Sequence, residues 1–276
     1  MSPNSPTYAR LNQQWFEQMS GGEFVGGSPH LKHRVLRRLC LGMAAQLFKK
    51  MVQQKRLVRV LDMGAGDGVL TLPYLDLGAY VTAVDATPEL LDALRAKAVE
   101  HQDRLTAIAG DIFAVLERLQ RQRAEFDLIC ASSFLHHIPD YLRLLRLSLG
   151  LLARPGFLYT FQDPLRYDSL GRGTYVFDRV AYFCWRAFQG DYGRGIKTRV
   201  RRLRGEYRND LPEDTAEYHV VRRGVDQESI QRVVEAEGLK CEIRSYWSTQ
   251  SCLFQSLGEA LHLKNTFAVV AEKPTR

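Results

Sequence analysis

Residues 60–71 read Val-Leu-Asp-Met-Gly-Ala-Gly-Asp-Gly-Val-Leu-Thr. A short apolar strand, Arg59 to Leu61, runs into Asp62. Glycines fall at 64, 66 and 68, and an apolar helical pattern begins at Val69. A strand, a tight glycine turn and a helix are what this stretch can form. Glycine at alternate positions lets the backbone turn sharply and approach a ligand, because no Cβ intervenes. The helix that follows points its first N–H groups at that ligand. A nucleotide-like ligand is therefore expected here.

The spacing discriminates among nucleotides. The dinucleotide fingerprint is G-x-G-x-x-G, whereas this chain has Gly64-x-Gly66-x-Gly68 preceded by Asp62. A carboxylate aimed into the loop opposes a pyrophosphate and suits an ammonium or sulfonium. The next strand, within residues 80–87, ends at Asp85, 21 residues after Gly64, where βαβ nucleotide folds place an acid on a ribose. That acid also disfavours a 2′-phosphate. A third strand, Leu105 to Ala109, ends in Gly110-Asp111-Ile112. A fourth, Phe126 to Ala131, leads into Ser132-Ser133-Phe134-Leu135-His136-His137-Ile138-Pro139-Asp140. A helix (Tyr141 to Leu152), Ala153-Arg154-Pro155-Gly156 and a fifth strand (Phe157 to Phe161) follow.

The Asp-x-Gly-x-Gly-x-Gly pattern resembles motif I of the class I S-adenosylmethionine-dependent methyltransferases. The Leu-His-His segment and the helix, Pro-Gly, strand join resemble the small-molecule members of that family. The resemblance implies a doubly wound α/β fold, with a mostly parallel seven-stranded Rossmann-like sheet and an insertion after strand five. It implies S-adenosylmethionine as cofactor and S-adenosylhomocysteine as product. Cofactor contacts are then expected from Asp62, Gly64, Ala65, Gly66, Gly68, Asp85, Ala86, Asp111, Ile112 and Ser132. Asp111 would sit at the adenine edge, with Ile112 against the ring.

Methyl transfer from a sulfonium is an in-line displacement, so the enzyme mainly aligns nucleophile and methyl. A base for the acceptor's proton adds to this. His136 and His137 are the candidates, because a neutral imidazole near pH 7 suits a hydroxyl or an amine. Asp140 reads as the cap of the helix at Tyr141. No Asn/Asp-Pro-Pro-aromatic turn follows strand four, and Cys130 lacks the preceding proline of 5-methylcytosine enzymes. No acid and amide cluster of the metal-dependent catechol type can be assembled. A small-molecule acceptor is the class that remains.

The chain has 276 residues, 45% hydrophobic and 25% charged, as in a soluble globular protein. No segment approaches the ~20 apolar residues of a membrane span. Met1 to Arg10 lacks an apolar signal core, so a cytoplasmic location is expected. Five scattered cysteines without a C-x-x-C argue against a disulfide framework and a metal site. The net charge of +7 is concentrated in residues 194–208. That stretch reads as a solvated basic face or as an anion clamp through Arg201 and Arg202. An RNA-modifying enzyme is the weaker reading of the same charge.

Four segments are expected: a 1–30 N-terminal arm with Tyr8 and Trp15, a 31–164 cofactor-binding core, a 165–225 insertion on the substrate side, and a 226–276 return to the core. The insertion is rich in aromatic residues, and Tyr175 and Trp185 are its candidate substrate contacts. The alternative is that these rings only build the insertion's own core. The acceptor is then an anionic or aromatic metabolite methylated on oxygen or nitrogen, and a homodimer is compatible with this. Rival readings are a non-methylating protein on the same scaffold and an NAD-dependent dehydrogenase, the latter opposed by the glycine spacing and Asp62.

Overall fold

The computed structural model describes residues 28–188, with side chains to 185, and residues 224–275. Its strands are β1 (Arg59–Met63), β2 (Tyr80–Asp85), β3 (Leu105–Ala109), β4 (Phe126–Ser132), β5 (Leu152–Pro164), β6 (Lys240–Tyr246) and β7 (Thr266–Lys273). They form one seven-stranded sheet in the order β3-β2-β1-β4-β5-β7-β6. Strands β1 to β5 are mutually parallel, and β7 runs antiparallel to both of its neighbours.

The helices are α1 (Arg34–Val52), α2 (Thr71–Asp76), α3 (Pro88–Lys97), α4 (Ile112–Arg121), α5 (Tyr141–Leu149), α6 (Arg172–Phe188), α7 (Gln227–Ala236) and α8 (Cys252–Ala260). They cover the sheet on both faces, and β1 shows how. Successive strand side chains alternate between faces. Leu61 and Met63 pack into a core with Val115 and Leu116 of α4, Leu144 and Leu145 of α5 and Ile230 of α7. Val60 packs into a second core with Met43 and Leu47 of α1, Tyr74 and Leu75 of α2 and Leu91 of α3. A parallel strand buried on both faces reads as continuous apolar sequence, which makes a buried Asp62 conspicuous.

Strand order reverses between β1 and β4, and Asp62 lies beside Cys130 across that pair. The chain leaves β1 toward β2 and leaves β4 toward β5, so a crevice opens outside the carboxyl ends of these two strands. The glycine loop and the histidine segment flank it.

Three boundaries differ from expectation. Helix α2 begins at Thr71 rather than Val69, because the glycine turn continues through Leu70. Helix α5 stops at Leu149 and β5 starts at Leu152. Pairing with Phe126 precedes the Pro-Gly step, which lies inside the strand with a cis Arg154–Pro155 bond. Residues 29–32 form a helical turn whose His30 is buried, so the packed body includes part of the expected arm. Among the described residues no helix is long and apolar enough to cross a membrane, and no cluster of metal-ligating side chains is present.

Candidate active site

The three glycines serve different ends. Gly66, at φ +54°, has nothing within 4 Å of where a Cβ would stand, so the space above it is open to a ligand. Gly64 is required by packing: a Cβ there would lie 2.2 Å from Cδ2 of Phe134. Gly68 likewise meets Leu94, 2.6 Å from a notional Cβ. Much of the loop's N–H capacity is used internally. Gly64 and Ala65 both donate to the Val84 carbonyl, Gly68 donates to that of Ala65, and Gly66 donates to Oδ2 of Asp85 at 2.8 Å. Ala65 is itself buried in the core, so only its backbone belongs to the turn.

Asp85 holds the loop from the end of β2. Its other oxygen accepts the Thr87 N–H at 2.9 Å, and the half-buried carboxylate stands beside Gly66 and Ala86. Burial pushes its pKa up, against the pull of these amide bonds. Each carboxylate oxygen keeps acceptor capacity beyond its amide partner, as ribose hydroxyls require.

Asp62 does not enter the mouth of the loop. It lies beneath it, 2% exposed, accepting from the Thr71 hydroxyl at 2.7 Å and the Cys130 thiol at 3.5 Å. The reason is register: position 62 shares a face with Val60, which looks into the α1–α3 layer. Burial pushes its pKa up to about 6, with the Thr71 and Cys130 bonds opposing. Asp62 therefore ties β1, β4 and the start of α2 together under the glycine turn. Cys130 is fully buried and its thiol is pushed well up by burial, as befits a strand residue rather than a nucleophile.

Asp111 is exposed and caps α4 through the Ala114 N–H at 3.0 Å, while Ile112 turns into the core. Asp140 caps α5 through the Arg143 N–H.

Beyond β4, Ser133 adopts φ +55° and the chain makes a single 3-10 turn, Leu135–His137. This turn carries both histidines, with ring centroids 4.0 Å apart. His136 Nδ1 lies 2.8 Å from Oδ1 of Asp163, and the same oxygen accepts the His136 backbone N–H at 3.1 Å. Because that oxygen already acts as an acceptor, we assign the ring proton to Nδ1, which puts the lone pair on Nε2. Asp163 reaches this position because β5 bulges between Thr160 and Asp163, with Gln162 at φ +70°. Burial opposes charge on both partners: His136 is held down to about 4 and Asp163 is pushed up to about 7. At neutral pH the ring is a neutral, oriented base.

Two residues not expected from sequence join this wall. Asp163 is one; the Phe-Gln-Asp-Pro end of β5 repeats the pattern of an acid closing a strand, as at Asp62 and Asp85. His30 is the other, with Nε2 3.3 Å from Oγ of Ser132 and its ring edge-on to Phe161. No spacing in the sequence announces that contact. Tyr175 and Trp185 are on α6; Tyr175 contacts Tyr167, Trp185 contacts Tyr182, and Arg179 lies over Tyr167, Tyr175 and Tyr182. These contacts lie within the insertion. Arg201, Arg202, Tyr8 and Trp15 lie outside the described residues.

An acid near the end of β1 and another closing β2, a glycine turn between them and a histidine turn across the switch point lie at one edge of a Rossmann-like sheet. Residues 60–156 match the family model described as a methyltransferase domain. The ubiquinone biosynthesis O-methyltransferase of Xanthomonas campestris pv. campestris (strain B100) is 34% identical over 101 residues, 37% of this chain and 41% of that protein. Its counterpart in Xanthomonas axonopodis pv. citri (strain 306) is 33% identical over the same length. The match thus spans about two-fifths of these curated relatives. Among solved structures, the plantazolicin methyltransferase BpumL in complex with SAH superposes with a TM-score of 0.57 at 14% identity, covering 97% of this chain and 95% of its own. The magnesium protoporphyrin IX methyltransferase of Synechocystis PCC 6803 with bound SAH gives 0.53 at 14% identity, covering 96% and 99%. At such identities the likeness is one of fold.

Proposed function

We propose that this protein transfers a methyl group from S-adenosylmethionine to an oxygen or nitrogen of a small-molecule acceptor. The observation that carries this reading is the open space over Gly66 beside the Asp85 carboxylate, at the switch point of the sheet. Asp85 accepts the ribose hydroxyls, the exposed Asp111 stands at the adenine edge, and Ser132 lines the crevice toward the histidine turn. The bound cofactor supplies an electrophilic methyl carried on sulfur. His136, oriented by Asp163, takes the acceptor's proton through Nε2, and His137 stacks against it. The O-methyltransferase names of the relatives support oxygen as the target. The arm (1–30) and the insertion (165–225) complete the substrate side, with Arg201 and Arg202 as anion contacts.

The test is incubation with isotope-labelled S-adenosylmethionine and a panel of catechols, amines and phenolic acids, read by mass spectrometry. We expect label on one acceptor class. His136→Gln should lower turnover by roughly a hundredfold, the usual scale of a general base, without changing S-adenosylhomocysteine affinity. Equal turnover in the variant would remove His136 from the chemistry.

A further inference from the structure

Helices α6 and α8 both leave from the carboxyl edge of the sheet. α6 follows the end of β5 and α8 the end of β6, and these strands run the same way, each antiparallel to β7. The helices meet through Phe177, whose ring centroid lies 5.4 Å from that of Trp247 and 5.5 Å from that of Phe254. Their outer faces remain apolar. Leu253, Leu257 and Leu261 recur at helical spacing along α8 and its C-cap, and are 66%, 43% and 59% exposed. Val176, Val180 and Phe183 form a second exposed row on α6. Single exposed apolar side chains are ordinary, but two rows on touching helices mark an interaction surface.

The start of α1 belongs to the same edge. His33 bonds the Thr249 carbonyl through Nε2 at 2.6 Å, just before α8, and His30 lies against Ser132 at the end of β4. Lys32, Arg34, Arg37 and Arg38 are exposed here, and none has an ion pair among the described residues. Residues 28–59 contain no acid at all. The acids of α6 and α8 are already engaged, Asp178 with Arg179 and Asn265, and Glu259 with Gln255. The edge therefore joins aliphatic rows to uncompensated positive charge.

That combination discriminates among partners. Single-stranded nucleic acid would meet the cations, but its sites set aromatic rings rather than aliphatic rows among their charges. A second copy in a two-fold contact would bring the same cations together. An anionic bilayer satisfies both features, taking apolar side chains into its interface and Lys and Arg at its headgroups. We propose that this edge docks on the surface of an anionic lipid bilayer, with Leu253, Leu257 and Phe183 in the interface and Lys32, Arg34 and Arg38 at headgroup phosphates. The crevice opens at the same edge, so docking turns its mouth toward the lipid.

The experiment is co-sedimentation of the full chain with vesicles of phosphatidylcholine, alone or mixed equally with phosphatidylglycerol, at low and high salt. The mixed vesicles should bind roughly tenfold or more tighter than the neutral ones, and salt should shrink that preference. Leu253→Gln/Leu257→Gln and Arg34→Gln/Arg38→Gln should each weaken binding to the mixed vesicles by roughly tenfold or more. All four positions are exposed, so both variants keep the core intact; if the α8 variant does not fold, Val180→Gln/Phe183→Gln carries the same expectation. Absence of vesicle binding would overturn the assignment. So would binding that the leucine changes leave intact, because charge elsewhere on the chain would then hold the protein. A dimer in sedimentation velocity that the leucine changes dissolve, or retention of bulk RNA that the arginine changes abolish, either of them without vesicle binding, would give the face to another partner and overturn it as well.

Discussion

Asp62 and Asp85 close adjacent strands, yet the fold uses them differently. Asp85 is half-buried beside open space, and its two amide bonds leave it able to take a ligand. Asp85→Ala should weaken S-adenosylhomocysteine binding by roughly 1–3 kcal/mol, the scale of a lost charged hydrogen bond; unchanged affinity by calorimetry would remove it from the site. Asp62 carries its charge at a cost. Its folded pKa of about 6 lies above the ordinary value of 3.8. As pH rises through that window the unfolded chain releases the proton first, so stability falls, and the full penalty applies above pH 6. Asp62→Asn removes the charge and keeps an acceptor for Thr71. It should gain stability over the parent as pH rises from about 4 to 6, by up to ~3 kcal/mol. Chemical denaturation at pH 4 and pH 8 checks this; a variant less stable than the parent at pH 8 would contradict it. The glycines and both acids were legible because each sits in a local pattern. That Asp62 lies under the loop was not, because the face a strand side chain takes depends on which helices cover it. His30 and Ser132 are 102 positions apart and meet only through tertiary packing.

The elements were legible where period and punctuation agree. The acids heading α4, α5 and α7 each cap as helix-start chemistry requires. Where the chain departs from expectation, a tertiary contact decides: β5 extends back to pair with Phe126, and its far end bulges to aim Asp163 at His136. The α7 cap joins the insertion to the core. Asp226 accepts from the Glu228 and Ser229 N–H groups and pairs with Arg166, beside the bridge between Leu165 and Val225. Asp226→Ala should cost about 1–2 kcal/mol, the upper range for a helix cap, measured by thermal or denaturant unfolding. A loss within ~0.5 kcal/mol, the level of an ordinary surface change, would mean that the cap and ion pair contribute little. The insertion's aromatic residues illustrate the limit of composition. Ring density alone does not say whether Tyr175 and Trp185 meet a substrate or only pack within the insertion, where their ring contacts are with Tyr167 and Tyr182.

At the scale of the molecule, the strand order places the glycine loop and the histidine turn on either side of one crevice. An open sheet puts its ligand site where the order reverses, so the position of the site follows from topology. Its chemistry follows from the residues there: an acid at the end of β2, a glycine with open space above it, and a neutral histidine held by a buried carboxylate. The most direct test is calorimetric titration of the full chain with S-adenosylhomocysteine and, in parallel, with NAD. The account predicts micromolar binding of S-adenosylhomocysteine and none of NAD. Binding of NAD alone would contradict it, and the readings of Asp85, Gly66 and His136 as parts of a methyl-transfer site would fall together.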